Sequence, residues 1–159
     1  MGFAPSTMSV TCPAFENHGS IPTRYTGEGE DVSPEIRWSG APEGTKGYAV
    51  ICHDPDAPLV SDNGTYGFVH WVLYNIPGDV SALEEGVQKF TQGSNNFGKH
   101  GYGGPMPPNG HGTHLYYFWV LALDSETVLP EGLTMWQLLK EIEPHVLGMS
   151  RLIGSYKRD

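Results

Sequence analysis

Only two of the 159 residues are cysteine, and only nine are lysine or arginine. Each scarcity excludes something. Cys12 and Cys52 show no CxxC spacing, so neither a thioredoxin-type redox motif nor a cysteine-held zinc site is written here. Each falls in an apparent strand and reads as a buried free thiol, with a single disulfide between them left open. The nine basic residues face 18 acidic ones, for a net charge of −9. Phosphodiester backbones are held by rows of Lys and Arg, and no such stripe is present, which speaks against nucleic acid as a partner. A small anion remains open, because a pocket can be locally positive inside an acidic protein. Long apolar runs are missing too: nothing approaches the ~20 residues of a membrane-spanning helix. "MGFAPSTMSV" has no basic n-region and no apolar h-region, so it is not a secretory signal. It fits a Met-Gly-x-x-x-Ser lipidation frame, for which Phe3 and Pro5 are poorly suited. A soluble protein of the cytoplasm is the expectation.

What is abundant is punctuation. The 21 glycines and 13 prolines cut the chain into short apolar runs joined by long loops, the pattern of a mostly β protein. No repeat, low-complexity linker or composition shift marks a boundary, and the length suits one core, so a single domain over 1–159 is expected. Strands are expected at Met8–Phe15, Glu35–Ser39, Gly47–Asp54, Phe68–Ile76 and His114–Asp124, with Met149–Lys157 as a final edge strand. The third, fourth and fifth are nearly continuous apolar runs, which suggests the centre of a sheet covered on both faces, one of them by a second sheet. One helix is well marked. Thr134 and Gln137 form a capping box, with Leu133 and Leu138 as a hydrophobic staple. Met135, Trp136, Leu138, Leu139 and Ile142 give its apolar face, and Pro144 ends it. Ser81–Gly86 reads as one short turn with Ser81 and Glu84 as its box. Residues 87–113 form a long aperiodic stretch, the kind that is functional or ordered by its own contacts.

That stretch ends in "GPMPPNGHGTH", directly before the most apolar strand. Proline fixes φ and glycine permits close approach, so together they give a loop of defined shape. Four of the seven histidines, His53, His70, His111 and His114, fall near strand ends, and Asp54 and Asp56 sit in "HDPDAP". If the His70 and His114 strands flank the Asp54 strand antiparallel, Asp54, His70, His114 and Tyr116 converge at one end of the sheet, under the Gly/Pro loop. His114 and Tyr116 share a face by the two-residue period. A carboxylate beside imidazoles favours their charged form and fixes a tautomer. The imidazoles, Tyr116 and loop N–H groups can then donate to phosphate or carboxylate. Phe68 and Trp71 would favour a ligand with a non-polar part, or else belong to the core. Other readings use the same residues. "DPDAP" alone is also a turn. His111 and His114 with Asp54 or His70 could hold a metal. A small hydrolase would need Ser61, Thr65 or Thr113 as nucleophile, and none lies in a strand–turn–helix elbow. His111 itself reads as a solvent-facing loop residue.

"GEGEDVSPEIRW" at 27–38, "DPDAP" at 54–58, "HWVLYNIP" at 70–77 and "GYGGPMPPNGHGTHLYYFWVLALD" at 101–124 resemble, in order and spacing, the phosphatidylethanolamine-binding protein family, in its bacterial and archaeal Raf-kinase-inhibitor-like branch. The resemblance implies a β-sandwich of two antiparallel sheets, with a Greek-key element and one or two short peripheral helices. It implies an anion-binding pocket made by Asp54, Asp56, Ala57 and Pro58, by His70, and by Gly104, Pro107, Pro108, His114 and Tyr116. It implies cis proline near the pocket, with Ala57–Pro58 the candidate, and a homodimer. The function it implies is that of a binding protein for a phosphate-like head group, phospholipid included, able to regulate a kinase, protease or other partner. The alternatives are an inhibitor that acts through its surface independently of the pocket, and a small hydrolase or metal enzyme. No catalytic residue, metal or cofactor is assigned. Eukaryotic members carry a longer C-terminal helical segment along the pocket. This chain ends soon after its last strand, so lipid or kinase regulation is not carried over.

Overall fold

The computed structural model describes residues 6–57 and 66–159. Met1–Pro5, Ser61, Thr65 and the Ala57–Pro58 bond therefore lie outside the described residues, wholly or in part. Among the described residues, eight strands and one α-helix follow in chain order: β1 (Ser9–Thr11), β2 (Ile36–Ser39), β3 (Gly47–Asp54), β4 (Phe68–Pro77), β5 (Ala82–Leu83), β6 (Thr91–Gln92), β7 (His114–Leu123), α1 (Met135–Ile142) and β8 (Val146–Tyr156). They make two antiparallel sheets, a small one ordered β1-β2-β5 and a large one ordered β6-β4-β3-β7-β8. The chain leaves β4, visits the small sheet, and returns to place β7 on the far flank of β3, the crossing connection of a Greek key.

The continuous apolar runs become the centre of the large sheet, as their lack of alternation requires. The inward face of β3, β4 and β7 carries Val50, Cys52, Trp71, Leu73, Tyr116, Phe118 and Val120, which pack on Val10, Ile36 and Trp38 of the small sheet. The outward face carries Ala49, Ile51, Val69, Val72, Tyr74 and Leu121, covered in part by Leu138 and Ile142 of α1.

Some elements differ from their expected form. The first strand shrinks to Ser9–Thr11, because Pro13 turns the chain and Cys12 meets Phe15 in an isolated bridge. Cys12 is thus a half-buried thiol outside the strand, Cys52 a buried one within β3, and both are free. Ser81–Gly86 holds strand β5 rather than a helical turn. Leu83 pairs with Ile36, and the Ser81 carbonyl accepts from Trp38 N–H. The last strand starts earlier than expected, at Val146. Trp136 leaves the helix's apolar face and is 49% exposed.

The helix start follows its sequence signal. Gln137 N–H donates to Thr134 Oγ1 at 3.1 Å, and Thr134 N–H donates to Gln137 Oε1 at 3.0 Å. Thr134→Ala removes the first of these and is expected to lower the unfolding free energy by about 1 kcal/mol, read from urea-unfolding midpoints.

Candidate functional site

A pocket of about 260 Å³ lies at the end of the large sheet where β3 stops and β7 starts. Asp54 closes β3 and Ala57 follows it. β4 contributes Phe68 and His70, β7 contributes His114 and Tyr116, and the long loop contributes Phe97, Met106, Pro107 and Pro108.

Strand alternation explains most of this placement. Along β7, His114 and Tyr116 share the inward face with Phe118, and along β3 Asp54 shares it with Val50 and Cys52. β4 departs from the rule. Cys52 pairs with Trp71 but His53 pairs with Val69, which leaves His70 as an extra residue on its strand. This bulge turns His70 and Trp71 to the same face, where strict alternation would separate them. Trp71 enters the inter-sheet core, and His70 enters the pocket.

His70 is 3% exposed. Its Nδ1 lies 2.7 Å from the Gly103 carbonyl oxygen. A carbonyl only accepts, so Nδ1 carries the proton. Burial pushes the imidazole pKa down to about 4, against smaller upward pulls from the Gly103 carbonyl and Asp54. The ring is therefore neutral at neutral pH. Asp54 is held from two sides. Its Oδ1 accepts from Asp56 N–H at 2.8 Å, and its Oδ2 lies 2.7 Å from His114 Nδ1. Both side chains of the Asp54–His114 pair are buried. The carboxylate fixes a proton on His114 Nδ1.

His114 Nε2 lies 2.7 Å from His111 Nδ1. His111 is exposed, but it is not a free loop residue. It ends a chain of carboxylate, imidazole and imidazole that runs from the buried sheet end to the surface. Tyr116 completes the polar set. Its hydroxyl is buried and has no hydrogen-bond partner among the described residues. Its ring meets His70 edge-on at 5.2 Å between centroids. Burial, and then the Asp54 charge, hold its phenol well above the ordinary range, so it keeps its proton.

The structure brings together Asp54, Ala57, His70, Pro107, Pro108, His114 and Tyr116 as pocket lining. Two expected residues act elsewhere. Asp56 is exposed and its Oδ2 accepts from Leu115 N–H at 2.8 Å, which ties the start of β7 to the end of β3. Gly104 lies behind the lining. A Cβ there would sit 2.2 Å from the Tyr25 carbonyl oxygen, and its N–H donates to Asp31 Oδ1 at 2.7 Å. Its missing side chain lets the loop press against residues 25–31. Pro58 lies outside the described residues. Of the two aromatics considered for the ligand's non-polar part, Phe68 lines the pocket and Trp71 does not. Among the described residues no group of three His, Cys, Asp or Glu side chains is arranged to hold a metal.

Sequence reasoning missed Phe97 and Met106. Phe97 packs edge-on against Phe68 and His70, at 4.7 and 5.5 Å between centroids. Its signal is a lone aromatic in the polar run "QGSNNFGKH". The C-terminal residues were missed as well. Arg158 Nη1 donates to the Pro107 carbonyl at 3.3 Å, and Gly110 N–H donates to the Arg158 carbonyl at 3.0 Å. Arg158 Nε also lies 3.4 Å from Glu28 Oε2 without hydrogen-bond alignment, while Tyr156 OH donates to Glu28 Oε1 at 2.6 Å. The end of the chain thus straps the Gly/Pro rim in place.

Comparison with known proteins gives a consistent set of likenesses. A family model described as phosphatidylethanolamine-binding protein matches residues 11–157. A UPF0098 protein of Aquifex aeolicus is 43% identical over 159 aligned residues, covering 96% of this chain and 90% of the relative. A putative phosphatidylethanolamine-binding protein homolog of Chlamydia trachomatis, CT736, superposes with a TM-score of 0.87 at 36% identity, covering 98% of this chain and all of that one. YbcL of E. coli, described as a new member of the mammalian PEBP family, also gives 0.87, at 30% identity, over 97% of this chain and all of that one.

Proposed function

The chain belongs to the phosphatidylethanolamine-binding protein family, and from that premise we propose that it is a binding protein whose pocket takes a small oxyanion head group. The observation that carries this reading is Tyr116, a residue of the cavity lining whose hydroxyl is buried and has no hydrogen-bond partner among the described residues. A buried hydroxyl without a partner costs roughly 1–3 kcal/mol, and an anion oxygen would restore its bond. His70 and His114 stand beside it. His114 donates Nδ1–H to Asp54, so a second proton on Nε2 would give the anion a charged donor once His111 moves aside. The walls of Phe68, Phe97, Met106, Pro107 and Pro108 suit an apolar substituent. Regulation of a kinase or protease would follow from a partner that presents such a group. The free thiols of Cys12 and Cys52 are in keeping with the reducing cytoplasm.

The test is an imidazole-proton NMR titration with inorganic phosphate and then phosphoethanolamine. Saturable shifts confined to His70, His111 and His114 are expected, with affinity at least about tenfold weaker in His114→Ala, the loss of one charge-assisted hydrogen bond. Unchanged affinity in that variant removes His114 from the assignment. No shift at any of the three removes the pocket reading.

A further inference from the structure

Proton positions around the pocket can be read from the partners of each ring. The Gly103 carbonyl oxygen beside His70 Nδ1 only accepts, so the proton is on Nδ1 and the lone pair on Nε2. Asp54 beside His114 Nδ1 only accepts, so the proton is again on Nδ1. The outward nitrogen of His114 then takes a hydrogen from His111 Nδ1. Among the described residues no lysine or arginine lines the cavity. Among the described lining residues, the polar groups left to a ligand are therefore the His70 Nε2 lone pair and the Tyr116 hydroxyl, on rings that meet edge-on with centroids 5.2 Å apart. An oxyanion with no proton turns lone pairs toward the His70 lone pair. An oxyacid group that still holds one proton donates it to His70 and accepts from Tyr116.

We infer that this pocket selects acid groups that carry a proton of their own, specifically the monoanion of a phosphate monoester with an apolar substituent, over isosteric anions that carry none. The inference rests on the reading of the pocket as an oxyanion site and names its ligand class. The groups facing His70 agree with it. Asp54, from β3, favours a charged imidazole, and His53 of the same strand disfavours one, but burial outweighs both. Tyr116 from β7 keeps its own proton, and Phe68 and Phe97 close the remaining sides. Protonating His70 itself requires a pH near 4.

Phenyl phosphate and phenyl sulfate make the decisive pair. Both are monoanions near pH 5.5, since the second ionisation of a phosphate monoester falls at about 6, and only the phosphate keeps an O–H. At pH 5.5 phenyl phosphate is expected to bind at least about tenfold tighter, the equivalent of one pKa unit at His70. The advantage should shrink at pH 8, where the phosphate has lost its proton. Calorimetry on the unmodified protein reads both constants, so no variant needs to fold. Equal affinities at pH 5.5 overturn the inference while leaving the oxyanion site standing, as does a preference undiminished at pH 8. Binding of neither ester removes the oxyanion site and this inference with it.

Discussion

Acidification from pH 7 to pH 4 is expected to cost the folded protein about 3 kcal/mol through His70 alone. The cause is burial. The imidazole takes its proton at 6.5 in the unfolded chain and only at about 4 in the folded one, and at about 1.4 kcal/mol per pKa unit the gap amounts to about 3 kcal/mol. Between those two values the unfolded chain binds more protons than the folded one. Stability is therefore whole above about 6.5, falls as pH drops through the interval, and levels off below about 4. Other histidines and carboxylates titrate in the same range, so a comparison isolates the term. Urea unfolding of the native sequence and of His70→Gln, at pH 7, 5.5 and 4, should show the native chain losing more stability on acidification, by about 3 kcal/mol. Parallel pH profiles would mean that His70 is hydrated in the folded state, and that its Nδ1–H bond to Gly103 does not survive in solution.

Trp71→Ala is the most damaging single truncation, with an expected loss of about 3–5 kcal/mol. Trp71 is fully buried in the layer between the sheets. It stands edge-on to Tyr102 at 5.5 Å between centroids, and its Nε1–H donates to Gln92 Oε1 at 3.2 Å. Tyr102 in turn donates to the Tyr25 carbonyl at 2.6 Å. The indole thus supports β6 and the loop that holds Gly103 against His70. A cavity here lies between two sheets, each stiffened by its own backbone pairing, which limits collapse and places the cost at the upper end of the range. Guanidinium unfolding measures it. A loss under about 1 kcal/mol would mean that the sheets close over the vacancy. The same variant should loosen the contact between His70 Nδ1–H and the Gly103 carbonyl, which the imidazole resonances of His70 would report.

The central strands were legible because β3, β4 and β7 are continuous apolar runs, rich in β-branched and aromatic residues, of strand length and bounded by turn residues. The N-terminus of α1 was legible because Thr134 and Gln137 carry a local code. Asp54, His114 and Tyr116 could be placed on one face by counting in twos along β3 and β7. His70 could not. Counting in twos from the core residue Trp71 sends His70 to the opposite face, and only the bulge between the Cys52–Trp71 and His53–Val69 pairs brings it back. A bulge is set by cross-strand register, which a single strand's sequence does not encode. The Arg158 strap was hidden for a similar reason: its partners lie in residues 28 and 107–110, and nothing local to "SYKRD" points to them. The distinction between Gly104 as lining and Gly104 as backing is likewise tertiary, decided by the Tyr25 carbonyl behind it.

Asp54 and His114 meet across the β3–β7 pairing, 60 residues apart in the chain. Between them the polypeptide must complete β4, cross to the small sheet and come back. Closing so long a loop has to precede any reward from the contacts it makes, which slows the search for the native pairing. The polar end of the sheet therefore has no partly built precursor. A nascent chain that stops before β7 carries Asp54, His70 and the Gly/Pro loop without His114 or Tyr116. Ligand recognition is in this sense a late property of folding, and it belongs only to molecules that have completed it.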